Sequence, residues 1–120
     1  MLAKHLKLLN LSQNRLGSKG LQLIIEALKD NSSLESLFLN NCYIDDDGCY
    51  CLSRLLTNPR LQLRELHINS NRIGHAGLGV VFDTLAMPNK RLKYLDVALN
   101  VIEIPLLRSL RSMIEKNSTL

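Results

Sequence analysis

The sequence has no tryptophan and few aromatic residues of any kind, with two phenylalanines and three tyrosines in 120 residues. A core built from this chain is therefore mainly aliphatic. No apolar run approaches the roughly 18 residues that a membrane-spanning helix requires, which excludes that class. Met1 to His5 lead into a polar-interrupted pattern and not into the apolar centre of a secretory signal, so the expected location is intracellular, in the cytoplasm. Cysteine is scarce and odd in number. Cys42, Cys49 and Cys51 lack framework spacing, so reduced thiols are expected and a secreted disulfide scaffold is not. A strong excess of one charge is missing too. Fifteen Lys and Arg against eleven Asp and Glu leave a net +4. The basic residues are spread along the chain and do not collect on one arm or face, which argues against a nucleic-acid partner. What remains is 46% hydrophobic and 22% charged, too apolar for a disordered tail and enough for the core of one domain.

Self-similarity is the main feature. Leu6, Leu34, Leu63, Leu92 and Leu120 stand 28, 29, 29 and 28 residues apart. Each of the first four opens the skeleton LxxLxLxxNx(L/I)xxxG. The first copy reads Leu6, Leu9, Leu11, Asn14, Leu16, Gly20, and the second Leu34, Leu37, Leu39, Cys42, Ile44, Gly48. The third reads Leu63, Leu66, Ile68, Asn71, Ile73, Gly77, and the fourth Leu92, Leu95, Val97, Asn100, Ile102, with Leu106 in the glycine position. The leading part alternates at period two, which predicts strands near 8–12, 36–40, 65–69 and 94–98. Beyond the glycine the period becomes 3.6, which predicts helices near 20–29, 48–57, 77–86 and 105–116. Their core rows are Leu21, Cys49, Leu78, Leu107, then Ile24, Leu52, Val81, Leu110, then Leu28, Leu56, Leu85, Ile114. A buried Asn at the end of each strand can bond backbone groups and form a ladder between copies, with Cys42 substituting in the second.

The skeleton resembles the leucine-rich repeat family, and its 28/29 alternation resembles the ribonuclease-inhibitor-like class. The expected fold is α/β, a right-handed βα solenoid with a parallel sheet on the concave face and helices on the convex face. One domain over 1–120 is expected, with repeats 6–33, 34–62, 63–91 and 92–119. Neither end carries a polar cap, so the chain reads as a segment of a longer array.

Strand residues between the core leucines face the concave side. Phe38, Glu65, His67, Tyr94 and Asp96 are the large or ionisable ones, and the resemblance implies a partner-binding role for that face. Glu65, His67 and Asp96 fall in one neighbourhood, where a surface ion pair is expected and not a metal site. Asp45-Asp46-Asp47-Gly48 lacks the alternation of a calcium loop and reads as acid placed at a helix start. Arg15, Tyr43, Arg72 and Val101 line one loop rim, and Arg15, Tyr43 and Arg72 are expected to share partner binding with the concave face. Asn10, Asn31 and Asn117 open glycosylation sequons that the repeat consensus itself generates.

No nucleophile–base pair, phosphate loop or metal motif is present in the sequence, so neither an enzyme nor a cofactor is expected. The expected function is a protein–protein interaction scaffold with no nucleic-acid or membrane partner. The alternatives are a GTPase-activating regulator, in which Arg15 or Arg72 would stabilise charge, and a passive spacer. Apolar residues at the two ends of the stack, Leu9, Leu11, Val97 and Ile114 among them, also allow self-association.

Overall fold

The computed structural model describes residues 5–61, 63–87 and 91–117. Leu120 and the Ser118-Thr119 end of the third sequon lie outside them. Among the described residues four strands alternate with four helices: β1 (Leu8–Asn10), α1 (Gly17–Leu28), β2 (Ser36–Phe38), α2 (Asp46–Thr57), β3 (Glu65–His67), α3 (His75–Leu85), β4 (Tyr94–Asp96) and α4 (Ile104–Lys116). The strands form one parallel sheet in the order β1-β2-β3-β4. Leu9, Leu37, Leu66 and Leu95 share a register row, as do Asn10, Phe38, His67 and Asp96. These rows coincide with the repeat alignment, because a 28- or 29-residue step returns the chain to the same place on its neighbour.

The strands are two residues shorter than the period-two pattern predicts, although backbone pairing runs on into the turns, as in Gln13 N–H to Asn40 O and Ser70 N–H to Ala98 O. Gln13, Asn41, Ser70 and Leu99 then take positive φ and swing the chain inward. At this turn the asparagines do what the spacing predicts. The Asn71 Nδ2 donates to the carbonyls of Leu39 and Ile68, and its Oδ1 accepts from the N–H groups of Cys42 and Ile44. Asn100 likewise donates to the Ile68 and Val97 carbonyls and accepts from the Ile73 N–H. The Cys42 thiol keeps the donor half of this role, toward the carbonyl of Leu11.

The helices begin two or three residues before the predicted starts for α1, α2 and α3, because the skeleton glycine lies inside the first turn and not at its edge. That glycine is needed for close approach. A Cβ on Gly77 would sit 2.8 Å from the Asp46 Cα, and one on Gly48 would sit 2.5 Å from the Ile44 Cγ2. The acidic run caps two helices. Asp45 is the N-cap of α2, accepting from the Gly48 N–H and from the Ser18 hydroxyl of the preceding repeat. Asp46 reaches forward to α3 and accepts from the Gly74 and Gly77 N–H groups at 2.7 and 3.1 Å. Each carboxylate satisfies donors that a helix start leaves open.

The core rows need correction in detail. Leu21, Cys49, Leu52, Leu78, Val81, Leu28 and Leu85 are buried as expected, but Ile25 is buried in place of Ile24 and Leu55 in place of Leu56. In α4 two of the three rows slip by one, while Leu110 stays half-buried against the core. Leu106 and Met113 are buried, whereas Leu107 and Ile114 are exposed. Leu106 occupies the glycine position and packs beside Gly79 of α3, where a Cβ would lie 3.9 Å from its side chain, at ordinary contact distance. Phe82, absent from the predicted rows, is among the largest fully buried side chains. At the ends of the stack, Leu9, Leu11 and Val97 are half-buried. Asn31 is fully buried, its Oδ1 accepting from the N–H groups of Ser33 and Leu34, so that sequon is a turn.

Burial sets the response to substitution. Leu66 lies mid-sheet with no exposed surface. Leu66→Ala should cost roughly 2–5 kcal/mol by leaving a cavity. Glu26 is exposed and pairs with Arg54, also exposed, at 3.6 Å. Glu26→Ala should stay within about 0.5 kcal/mol. Denaturant melts giving equal losses would contradict this assignment of faces.

Candidate functional site

On the concave face β2, β3 and β4 present a block two residues deep and three strands wide: Ser36, Glu65 and Tyr94 in one row, Phe38, His67 and Asp96 in the next. Alternation along each strand puts these side chains opposite the buried Leu37, Leu66 and half-buried Leu95. Strand spacing then turns sequence neighbours 27 to 29 residues apart into side-chain contacts. The Phe38 and His67 rings stack with centroids 4.1 Å apart and planes within 9°. Tyr94 closes the other side of His67, its centroid at 4.9 Å and its plane tilted by 31°. The result is a continuous Phe38–His67–Tyr94 aromatic strip. His67 is covered by these two rings and not by the helices, with 14% of its side chain exposed. Tyr94 is half exposed.

Both carboxylates of the patch are held by neighbouring polar groups. Glu65 accepts from the Ser36 hydroxyl at 2.8 Å. Asp96 accepts from the Asn69 amide at 2.6 Å and from the Ala98 N–H at 3.1 Å. The expected pairing of His67 with Asp96 is loose, with Nδ1 lying 3.9 Å from Oδ2, beyond hydrogen-bond reach. The His67 Nε2 is buried and has no hydrogen-bond partner among the described residues. Stacking, then, orients this imidazole. Burial works against ionisation of Asp96, but the Asn69 and Ala98 hydrogen bonds and the field of His67 outweigh it, and the carboxyl pKa is lowered.

The loop rim is ordered by a different contact. The Arg15 and Arg72 guanidinium carbons lie 5.7 and 4.5 Å from the centre of the Tyr43 ring. Sequence spacing placed these three in one row, but no sequence signal foretold that the ring would be shared. The other rim member, Val101, is exposed beside Leu99 and Ile102. The thiols lie elsewhere. Burial, with Asp46 and Asp45 nearby, pushes Cys49 up to about 12, and burial also raises Cys42.

Residues 3–24, 30–53 and 63–81 match the family profile described as Leucine Rich repeat. The chain belongs to the leucine-rich repeat family. Its 28- and 29-residue steps place it with the ribonuclease-inhibitor-like members, and the curated relatives agree. It is 37% identical over 93 residues to the ribonuclease inhibitor of Sus scrofa, an alignment covering 77% of this chain and 20% of that protein. It is 36% identical over 97 residues to NACHT, LRR and PYD domains-containing protein 9B of Mus musculus, covering 80% of this chain and 10% of the relative. This leucine-rich repeat chain thus spans a fifth or less of the length of these curated relatives. Among solved structures, leiomodin-1 actin-binding site 2 superposes with a TM-score of 0.84 at 20% identity, over 98% of this chain and 69% of that one. That likeness is one of fold. No helix among the described residues is long and apolar enough to cross a membrane.

The lowered Asp96 pKa has a definite sign. A carboxyl that ionises more readily when folded stabilises the fold above its unfolded pKa of about 3.9, and the contribution fades as pH falls from there toward the folded pKa. The stability difference between the native chain and Asp96→Asn should therefore shrink on acidification below about pH 4. Urea melts across that range measure it, and a difference that grows toward acid would contradict the assignment.

Proposed function

We propose that this chain is a protein-interaction module that receives its partner on the concave face, with Phe38, His67 and Tyr94 as anchors and Glu65 and Asp96 as flanking polar contacts. The observation that carries the reading is the continuous aromatic strip, set among carboxylates on a sheet face whose opposite side alone serves the core. Aromatic residues ringed by polar groups are the composition of interface hot spots. The chain's likeness to ribonuclease inhibitor, a protein named for a protein target, supports the same reading. Stacked and partly immobilised rings also lose little side-chain freedom on binding, which lowers the cost of association.

Area bounds what this face supplies. Four strands at about 4.8 Å and four residues at about 3.3 Å give a strip on the order of 250 Å². A standard specific interface takes about 800 Å² per partner. A partner of ordinary affinity therefore reaches past the strip, and the adjoining rim of Arg15, Tyr43 and Arg72 is available to it. No observation favours the GTPase-activating or spacer alternatives over this reading.

The experiment is site-directed photocrosslinking in cell extract. A photoreactive side chain at position 38 or 94 should capture one common protein, and the same group at Leu23 on the exposed helix side should not. With that protein purified, Phe38→Ala and Tyr94→Ala should each weaken binding by about 2 kcal/mol. Capture from position 23 alone, or unchanged affinity in both variants, would overturn the reading.

A further inference from the structure

Arg15, Tyr43 and Arg72 occupy the same skeleton position in three successive repeats, so Tyr43 stands between the two arginines. All three side chains are exposed. Among the described residues neither guanidinium has a carboxylate within ion-pair distance. The acids closest in sequence to Tyr43 are committed elsewhere. Asp45 is held by Ser18 and the Gly48 N–H, and Asp46 by the Gly74 and Gly77 N–H groups. Asp47, in the first turn of α2, is exposed and forms no ion pair with either arginine. Tyr43 has φ 61°, a left-handed conformation that bulky side chains rarely take and that Arg15, Arg72 and Val101 do not share. The turn thus holds an aromatic plate, at some backbone strain, between two uncompensated cations.

A guanidinium laid against a ring gains from the ring's negative face and loses side-chain freedom. Its in-plane N–H donors stay free at the edge, where they match the two oxygens of a carboxylate. We propose that Arg15, Tyr43 and Arg72 form a recognition site for an acidic peptide segment of a partner protein, each arginine taking one carboxylate. The spacing favours two carboxylates over one phosphate. Two repeat steps of about 4.8 Å separate the arginines by about 10 Å, and acids at alternate positions of an extended segment stand about 7 Å apart, a difference that side-chain reach covers. Arg15 and Arg72 then act as paired points of attachment, and Tyr43 fixes their separation. The site stands apart from the concave patch in residues and in ligand chemistry.

The test is an NMR titration of the isotope-labelled chain with the synthetic peptide Gly-Ser-Glu-Ser-Glu-Ser-Gly. The side-chain Nε–Hε signals of Arg15 and Arg72 and the ring signals of Tyr43 should move together and saturate, and added salt should weaken the response. The same peptide with glutamine for glutamate should leave them in place. Arg72→Gln and Arg15→Gln should each weaken peptide binding about tenfold. Arg72→Lys, which keeps the charge but loses the planar fork, should weaken it as well. The unperturbed signals of each variant report that it is folded. The proposal is overturned by an absent response, by an equal response to the glutamine peptide, by shifts spread evenly over all arginines, or by inorganic phosphate binding the site as tightly as the peptide. The peptide has no apolar side chain, so its failure to bind leaves the concave reading standing, and failure of the concave crosslinks leaves this site standing.

Discussion

The amide of Asn71 is shared between two repeats, and the stacking of the chain depends on contacts of this kind. It donates to a carbonyl in its own turn and one in the turn before, and accepts from two N–H groups of that earlier turn. Those backbone groups lie where a strand has ended and a helix has not begun, so regular structure cannot satisfy them. One asparagine amide carries both the donors and the acceptor needed at one point, which explains why the position is so specific in residue type. Asn100 repeats the arrangement. Cys42 shows its limit, since a thiol can donate to Leu11 but has no counterpart of Oδ1. With the turns locked in register, the leucines of neighbouring strands fall opposite one another and the helices are brought within glycine distance.

The helix ends use the same principle of borrowing from the next repeat. Asp46 begins α2 and caps α3. Asn58, at the end of α2, donates to the carbonyl of Lys29 at the end of α1, and Asn117 does the same for Leu85 at the end of α3. Each repeat is therefore completed by a polar side chain from its neighbour as well as by apolar burial. This division leaves the concave side chains outside the core and away from the helix ends. The aromatic strip and its carboxylates cover no core and cap no helix, and Asp45 and Asp46, close in sequence to Tyr43, serve helix starts and not the rim arginines.

Much of this was legible in the chain. Leucines alternating at period two and then at 3.6, four times in one frame, specified strand, turn, helix and their order, because burying one face of each element requires that pattern. The concave residues followed from the same alternation, since whatever lies between two buried leucines on a strand points the other way. The acidic run was recognisable as a helix start for an equally local reason, the preference of carboxylates for that end.

Only the tertiary structure decided how those residues meet. That Leu106 and not Leu107 enters the core was set by how α4 packs against α3, a contact no single repeat contains. That Asp46 serves α3, that Phe38 and Tyr94 close on His67, and that Arg15 and Arg72 share the ring of Tyr43 were all set by the lateral distance between adjacent repeats. Hydrophobic periodicity fixes which face a side chain occupies, because burial is averaged over many atoms. Hydrogen bonds and ring stacking depend on distances of a few tenths of an ångström between residues about 30 positions apart, and those distances exist only once the repeats have stacked.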